Sequence, residues 1–318
     1  MTENMHELTQ ILRKAIEAVS GSYSRETLIE SGRTVSERYR MEKGERRRLA
    51  KEQEAAAYAV SRMPATYGAA HFALLQGIRA AHITSVESHL DCGAGTGAVV
   101  LAAADLLMPK QVYLLEREAA MISVGQSILD ACGISGKYYS GNLCDTELPC
   151  AELVTEGYVL SELSKEQREK AILNMWHSTG KILVLIEPGT MEGFSIIRNA
   201  KEILRENGAF LVAPCVASEC PIEENDWCHF SVRVSRSQLH RYIKGGEAPF
   251  EDEKFCYAVF TRELLSAESE RIIRHPMIAA GRISLELCTK NGRKTRVVTK
   301  KDPLWKRARN AEGGECLS

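Results

Sequence analysis

The sequence predicts an α/β fold with a doubly wound, mostly parallel sheet, and three observations predict it. Residues 85–215 alternate short apolar runs with helical patterns, as parallel strands and crossover helices do. The first predicted strand runs into a glycine-spaced turn at 91–97, which reads Asp-x-Gly-x-Gly-x-Gly, and a helix follows at once. The next predicted strand ends in an acidic residue, Glu116, 19 residues after Gly97. Such a turn lies at the carboxyl edge of the sheet, where a ligand can approach the backbone.

The length and the hydropathy pattern limit the domain organisation and the class of protein that the chain can form. A chain of 318 residues can bury a full core. We expect an N-terminal helical region at 1–84, a Rossmann-like core at 85–214, and a cysteine loop with a basic β-unit at 215–318. No apolar run approaches the ~20 residues that span a bilayer. The first residues show neither a secretory signal nor an Arg-rich transit peptide, so we expect a soluble, cytoplasmic protein. The sequence does not predict the oligomeric state.

The N-terminal region has a helical pattern with a basic centre. Apolar residues recur at three- and four-residue intervals from Leu8 to Ile16. The stretch 33–51 carries eight Lys or Arg against three Glu. It is either a solvated helix face or a helix that follows the phosphates of RNA. The stretch 62–67, which contains Pro64, predicts a helix stop and restart.

Six strands are predicted in the core, with helices between them. The strands lie at 86–91, 112–116, 138–143, 153–160, 182–187 and 209–213, and the helices at 98–107, 119–131, 165–176 and 194–204. A ligand of such a sheet lies over the carboxyl ends of strands one and four. We therefore expect residues 160–163 to face it.

The cysteines indicate a metal site. Ten cysteines without a secretion signal favour reduced thiolates over disulfides. Cys215, Cys220 and Cys228 fall within 14 residues in a segment rich in proline and acid, which favours a metal-binding loop. A fourth ligand could be Cys256, Cys288 or His229. Cys288 is favoured because it ends a strand-like alternation before a turn, whereas Cys256 lies in an apolar run typical of a core thiol. An all-thiolate set suits structural zinc or an iron–sulfur cluster, and these residues do not separate the two.

The glycine turn resembles motif I of S-adenosylmethionine-dependent methyltransferases. The resemblance implies that the turn holds the methionine moiety, that the acid after strand two takes the ribose hydroxyls, and that a residue after strand three contacts adenine. The residues concerned are Asp91, Gly93, Gly95, Gly97, Glu116 and Asn142.

A second resemblance is more specific. The chain is similar to the methyltransferase-like assembly factor family of the mitochondrial small ribosomal subunit and its bacterial relatives, from about residue 30 to 310. The blocks that carry it lie at 58–59, 62–67, 186–190, 213–215, 220–221, 226–231, 236–241, 244–245 and 251–255. It implies a class I methyltransferase fold, association with small-subunit ribosomal RNA, and a 4Fe-4S cluster on Cys215, Cys220, Cys228 and Cys288. The resemblance thus favours iron–sulfur over zinc. This chain has Val216-Ala217 where the family often has Pro-His, which puts a supporting histidine in doubt.

The C-terminal residues favour an RNA partner. Between Arg282 and Arg309 there are ten Lys or Arg against Glu286 and Asp302. Short strand patterns within this block predict a small β-unit with a basic face, and Trp305 adds a surface for stacking. Together with the basic stretch at 33–51, this favours nucleic acid over a merely solvated surface.

Two classes of function remain open. The first is an enzyme that transfers the methyl group of S-adenosylmethionine to an RNA base, which needs chiefly positioning and desolvation. The second is a non-catalytic RNA-binding assembly factor with a structural metal site. The intact glycine turn favours retained cofactor binding. The chain has no Asn-Pro-Pro-Tyr-like clamp after strand four and no suitably placed catalytic cysteine pair, which favours the binding module and leaves a catalytic residue unassigned.

Overall fold

A computed structural model describes residues 9–41, 49, 51–217, 219–223, 225–265 and 270–317. The helices are α1 (Gln10–Ser22), α2 (Arg25–Met41), α3 (Glu52–Ala80), α4 (Ala98–Leu107), α5 (Ala119–Cys132), α6 (Lys165–Ser178), α7 (Met191–Glu206), α8 (Gln238–Lys244) and α9 (Trp305–Arg309). The strands are β1 (Ser88–Cys92), β2 (Gln111–Glu116), β3 (Gly136–Ser140), β4 (Ala151–Gly157), β5 (Thr179–Pro188), β6 (Phe210–Ala213), β7 (Phe230–Ser235), β8 (Phe250–Thr261), β9 (Glu270–Ile272), β10 (Met277–Ala279), β11 (Arg282–Thr289) and β12 (Gly292–Thr299).

The large sheet has the order β3-β2-β1-β4-β5-β8-β6, with β7 paired to β8. β1 pairs in parallel with β2 and β4, and β4 pairs in parallel with β5. β8 runs antiparallel to β5 and β6. The predicted doubly wound α/β fold is confirmed, and its switch point lies between β1 and β4.

The large sheet extends past the boundary predicted at residue 214. β8 is long enough for β7 to pair with its first half and β6 with its end, while β5 covers the opposite edge. Residues 255–261 are all buried because this run lies inside the sheet. A segment assigned to a separate C-terminal lobe therefore contributes a central strand of the core.

Helix α3 passes through Pro64 without a break, so the predicted stop and restart at 62–67 is wrong. A proline inside a helix removes one backbone hydrogen bond and crowds the preceding turn. Met63, Pro64 and Ala65 are buried, and α3 packs on α2, α4 and β8. Tertiary packing along 29 residues offsets the local cost. In the part of the chain that the structure describes, no helix is long and apolar enough to span a membrane.

The second sheet is a small antiparallel unit with β11 at its centre. β12 pairs along the whole of β11, whose other edge is shared by β9 and β10. Ile283, Leu285, Leu287 and Val298 form its core. The predicted hairpin turn lies between β11 and β12, and it places Cys288 opposite Arg293.

Candidate cofactor cleft and cysteine cavity

The glycine turn forms the floor of a cleft at the carboxyl ends of β1, β2 and β4. Gly93, Gly95 and Gly97 have φ angles of 77°, 53° and 88°, a region that side chains disfavour. A Cβ atom on Gly93 would also lie 2.2 Å from Cγ2 of Val159. The glycines thus let the chain turn sharply between β1 and α4 while leaving space above the backbone.

Glu116 fixes the turn from the end of the neighbouring strand. Its Oε2 accepts a hydrogen bond from the Gly95 amide at 2.8 Å. Its Oε1 accepts from the amides of Arg117 and Glu118 at 2.7 and 2.9 Å. Burial raises the pKa of Glu116, although the three amide donors oppose the rise. A carboxylate is thereby held in the wall of the cleft next to the glycine turn.

The structure brings four of the six predicted cofactor residues to the cleft. Gly93, Gly95, Glu116 and Asn142 line it, and Asn142 is oriented by the Cys144 amide, which donates to its Oδ1 at 2.9 Å. Within the predicted stretch 160–163, residues 162 and 163 also line the cleft. Its volume is about 1100 Å³, including the part open to solvent.

Asp91 and Gly97 do not line the cleft. The Asp91 side chain is buried, and its Oδ1 accepts a hydrogen bond from the Thr155 hydroxyl at 2.7 Å. Thr155 Oγ1 also lies 2.7 Å from Nε2 of His89. Burial raises the pKa of Asp91 to about 7 and lowers that of His89 to about 3. Asp91 therefore joins β1 to β4 beneath the turn, and Gly97 caps α4.

Helix α3 and the end of β4 supply a wall that carries two tyrosines. Tyr58 and Tyr158 both line the cleft. Tyr158 has a φ of 66°, which is costly for a bulky residue. Its hydroxyl donates to Oε1 of Glu253 at 2.9 Å, and Glu253 also pairs with Arg62 at 3.3 Å. The sequence does not mark Tyr158 as a site residue, because positive φ at a non-glycine residue has no sequence signature.

Two buried carboxyl groups lie beneath this wall. Glu156 Oε1 accepts from the amides of Val159 and Leu160 at 2.6 and 3.2 Å, and Glu187 Oε1 accepts from the Ser161 amide at 3.3 Å. Burial raises the pKa of both groups, that of Glu187 to about 7, and the neighbouring Glu187 raises the pKa of Glu156 further. The pair shares a proton because two adjacent charges cannot both be buried.

This pair predicts a pH dependence of stability. The folded pKa of Glu187, about 7, exceeds its ordinary value of 4.5, so the folded protein keeps a proton that the unfolded chain releases between these pH values. The stabilisation is complete below about pH 4.5 and is lost as the pH rises toward 7. We expect Glu187→Gln to flatten this decline and to raise the free energy of unfolding at pH 8 by about 1 to 3 kcal/mol.

Urea unfolding between pH 4.5 and 8 measures this effect. Exposed Glu206→Gln on α7 is the control and should follow the wild-type profile. Some slope should remain in Glu187→Gln, because the pKa values of Glu156 and Asp91 are also raised by burial. An unchanged profile for Glu187→Gln would contradict the raised pKa of Glu187.

The four cysteines predicted as ligands line one small cavity. Cys215, Cys220, Cys228 and Cys288 surround it, and its walls include apolar side chains of α7, the loop after β6 and the segment after β9. Burial raises the pKa of Cys215 and Cys228 above the ordinary thiol value. Among the residues that the structure describes, no group of three or more His, Cys, Asp or Glu donors is arranged to hold a metal ion as it stands. The ligand set therefore stays a prediction, although the structure brings its four members together.

Cys256 lies between the cavity and the carboxyl pair. It also lines the cavity, and its thiol donates to the Cys228 carbonyl at 3.1 Å. In the pairing of β5 with β8 it stands opposite Glu187. Burial, and then the charge of Glu187, raises the pKa of Cys256 to about 12. Its burial agrees with a core thiol, and its hydrogen bond ties β8 to the cysteine loop.

Lys201 of α7 is a cation in the wall of the same cavity. Its ammonium donates to Sγ of Cys215 at 3.3 Å. Burial alone would lower the pKa of Lys201, but the Cys215 and Cys220 sulfurs raise it above its ordinary value. The side chain therefore lies in the cavity wall in contact with one of the predicted ligands.

The strand order of the large sheet, with an antiparallel strand between β5 and β6, and the glycine turn followed by an acid after β2 define a class I methyltransferase fold. The family described as mitochondrial small ribosomal subunit Rsm22 matches residues 52–318. The chain belongs to this family, which confirms the resemblance found in the sequence.

Individual relatives match less of the chain. The human mitochondrial ribosome assembly protein METTL17 is 30% identical over 164 residues, which are 46% of this chain and 36% of METTL17. The chain thus matches about a third of that relative's length. A putative RNA methyltransferase from Pyrococcus horikoshii is 14% identical with a TM-score of 0.43, over 62% of this chain and 84% of that one. The N-methyltransferase NodS from Bradyrhizobium japonicum, solved with S-adenosyl-L-homocysteine, is 16% identical with a TM-score of 0.39, over 60% and 84%.

Proposed function

We propose that this chain binds S-adenosylmethionine in the cleft and acts with the small ribosomal subunit and its RNA during assembly. The observation that carries the proposal is the carboxylate of Glu116 held against the amide of Gly95 at the floor of an open cleft. A ribose diol can donate to such a carboxylate, and the open glycine backbone leaves room for the methionine moiety. Asn142 and Leu143 lie at the end of the cleft where adenine would bind.

The wall formed by α3 and the end of β4 bears on the choice between an enzyme and a binding module. Tyr58 and Tyr158 line the part of the cleft that an acceptor would enter, and the acids Glu118 and Glu162 also line the cleft. Methyl transfer from a sulfonium needs alignment and exclusion of water before it needs a base. The first form of the proposal is therefore a methyltransferase acting on ribosomal RNA. The alternative is a non-catalytic assembly factor, which the lack of a catalytic signature after β4 supports.

The cysteine cavity supports a metal centre as part of this proposal. Four thiols in one small cavity, in a chain with no disulfide among its described residues, match the soft donors of a 4Fe-4S cluster, with zinc as the alternative. Binding would require Cys215, Cys220, Cys228 and Cys288 to lose their protons and turn toward a common point. A bound centre would crosslink the loop after β6 to the small sheet. This link would fix the basic unit relative to the cleft.

The small sheet supports contact with RNA. Seven exposed cations of this sheet and of the segment that follows it, which includes α9, form no ion pair among the residues that the structure describes: Arg282, Lys290, Lys294, Lys300, Lys301, Lys306 and Arg309. Uncompensated cations on one lobe attract the phosphates of a nucleic acid. Part of the basic stretch 33–51 lies outside the described residues. Of its described members, Arg38 is paired with Glu54 at 2.9 Å.

Removal of two adjacent cations tests this contact. We expect Lys300→Ala with Lys301→Ala to weaken binding to a small-subunit ribosomal RNA fragment roughly tenfold, because two phosphate contacts are lost. The slope of log affinity against log salt should fall by about 1.4 for single-stranded contacts. Fluorescence anisotropy over a range of KCl concentrations measures both quantities. Arg13→Ala with Lys14→Ala in α1 removes an equally exposed pair and is the control. Equal losses in the two double variants would refute a specific basic face.

Calorimetry and a methyl-transfer assay together test the proposed function. Purified protein is titrated with S-adenosylmethionine and then incubated with the radiolabelled cofactor and immature small ribosomal subunits. We expect binding in the micromolar range. Label in ribosomal RNA would establish the enzyme, whereas binding without label would establish the assembly factor. No binding to a folded wild-type protein would overturn the cofactor proposal.

A further inference from the structure

Lys201 is a buried cation without a carboxylate partner. Lys201 is 9% exposed, and it forms no ion pair with an acid among the residues that the structure describes. Its recorded hydrogen bond goes from Nζ to Sγ of Cys215 at 3.3 Å. Lysine is almost never buried without a partner, because loss of hydration is costly. The ammonium therefore needs a negative group in the cysteine cavity.

Neutral thiols do not supply that charge. Four thiolates around zinc or a 4Fe-4S core do, because their summed charge exceeds that of the metal core. We infer that Lys201 is the internal counter-cation of a negatively charged metal–thiolate centre, and that it positions Cys215 through the bond to its sulfur. This inference rests on the metal centre proposed above and adds a residue that is not itself a ligand.

Two other cations near the cavity, Arg274 and Arg198, do not fill this role. Arg274 is paired with Asp226 through two hydrogen bonds of 2.7 and 2.8 Å. Arg198 lines the cavity but is exposed, with its guanidinium over the ring of Phe194 at 5.7 Å. Lys201 therefore combines burial, an unbalanced charge and contact with a predicted ligand. Proteins set the reduction potential of such centres through hydrogen bonds to the ligand sulfurs and through nearby charges.

Three variants separate charge from packing. Lys201→Met removes the charge and the hydrogen bond, Lys201→Gln keeps a polar donor without the charge, and Lys201→Arg keeps the charge. Arg205→Met removes an exposed cation one turn further along α7 and is the matched control. Each full-length protein is purified without oxygen, analysed for iron, sulfide and zinc, and challenged with a chelator.

We expect the Met and Gln variants to release their metal about tenfold faster than wild type, and the Arg variant and Arg205→Met to match wild type. If the centre contains iron, the midpoint potential of Lys201→Gln should be lower by about 59 mV, the equivalent of a tenfold change in a one-electron equilibrium. The sign follows because loss of a nearby positive charge disfavours the reduced state.

The outcomes distinguish this inference from the proposed centre. Wild-type protein with neither iron nor zinc would overturn the centre itself. Metal-loaded wild type with unchanged release and potential in Lys201→Gln would overturn the role of Lys201 alone. If Lys201→Met does not fold, Lys201→Gln decides, with far-ultraviolet circular dichroism as the check on folding.

Discussion

Cys228→Ser should remove the metal centre. This cysteine lines the cavity with the three other predicted ligands, and its carbonyl accepts the Cys256 thiol, so its position is fixed from β8. A serine hydroxyl is a poor replacement for a thiolate on iron or zinc. Metal content after anaerobic purification should fall by about nine-tenths, and the thermal midpoint should fall with it, because metal binding contributes to folding stability.

Metal analysis and absorbance in the thiolate-to-iron charge-transfer region measure the result. Cys150→Ser is the control, since Cys150 is exposed and lies outside the cavity. A colourless wild-type protein with one zinc per chain would replace iron–sulfur by zinc and keep the ligand set. Full retention of metal in Cys228→Ser would exclude that set.

Glu116→Gln should weaken binding of S-adenosylmethionine by about 10- to 100-fold. The carboxylate accepts hydrogen bonds from three amides and has capacity left for a ribose hydroxyl. A glutamine side chain keeps one acceptor atom, and its NH2 group would point at amide donors. The turn that carries Gly95 would then lose part of its support together with the charged acceptor.

Calorimetric titration gives the affinity, and thermal unfolding shows whether the variant is folded. Glu87→Gln is the matched control, because Glu87 is exposed and lies just before β1, at the opposite end of that strand. A folded Glu116→Gln protein with wild-type affinity would mean that the cofactor does not use this carboxylate.

Local pattern was sufficient to predict most of the parallel core. β1 to β5 are apolar runs separated by helices, and parallel pairing follows from that alternation because each crossover helix returns the chain to the same edge. β8 was not placed in the sheet, because its pairing with β5 and β6 depends on contacts far apart in sequence. The same limit applies to Pro64, where tertiary packing overrides a local helix breaker.

The candidate sites divide in a similar way. The spacing of these residues in the sequence is enough to predict that Gly93, Gly95 and Glu116 line the cofactor cleft. Their positions are fixed by β1, the glycine turn and β2. Asp91 was expected at the cleft, but only the folded chain shows that its side chain is turned toward Thr155. Lys201 could not be selected from the sequence, since nothing in an amphipathic helix marks which lysine meets a sulfur in space.

The carboxyl pair and Cys256 make the two candidate sites neighbours. Glu156 holds the amide of Val159 at the cleft, Glu187 lies opposite Cys256, and that thiol reaches the backbone of the cysteine loop. A displacement of the loop would thus act on Cys256 through its hydrogen bond and on Glu187 through the pairing of β5 with β8. We therefore expect a change in metal loading to alter cofactor affinity, because these groups connect the two sites.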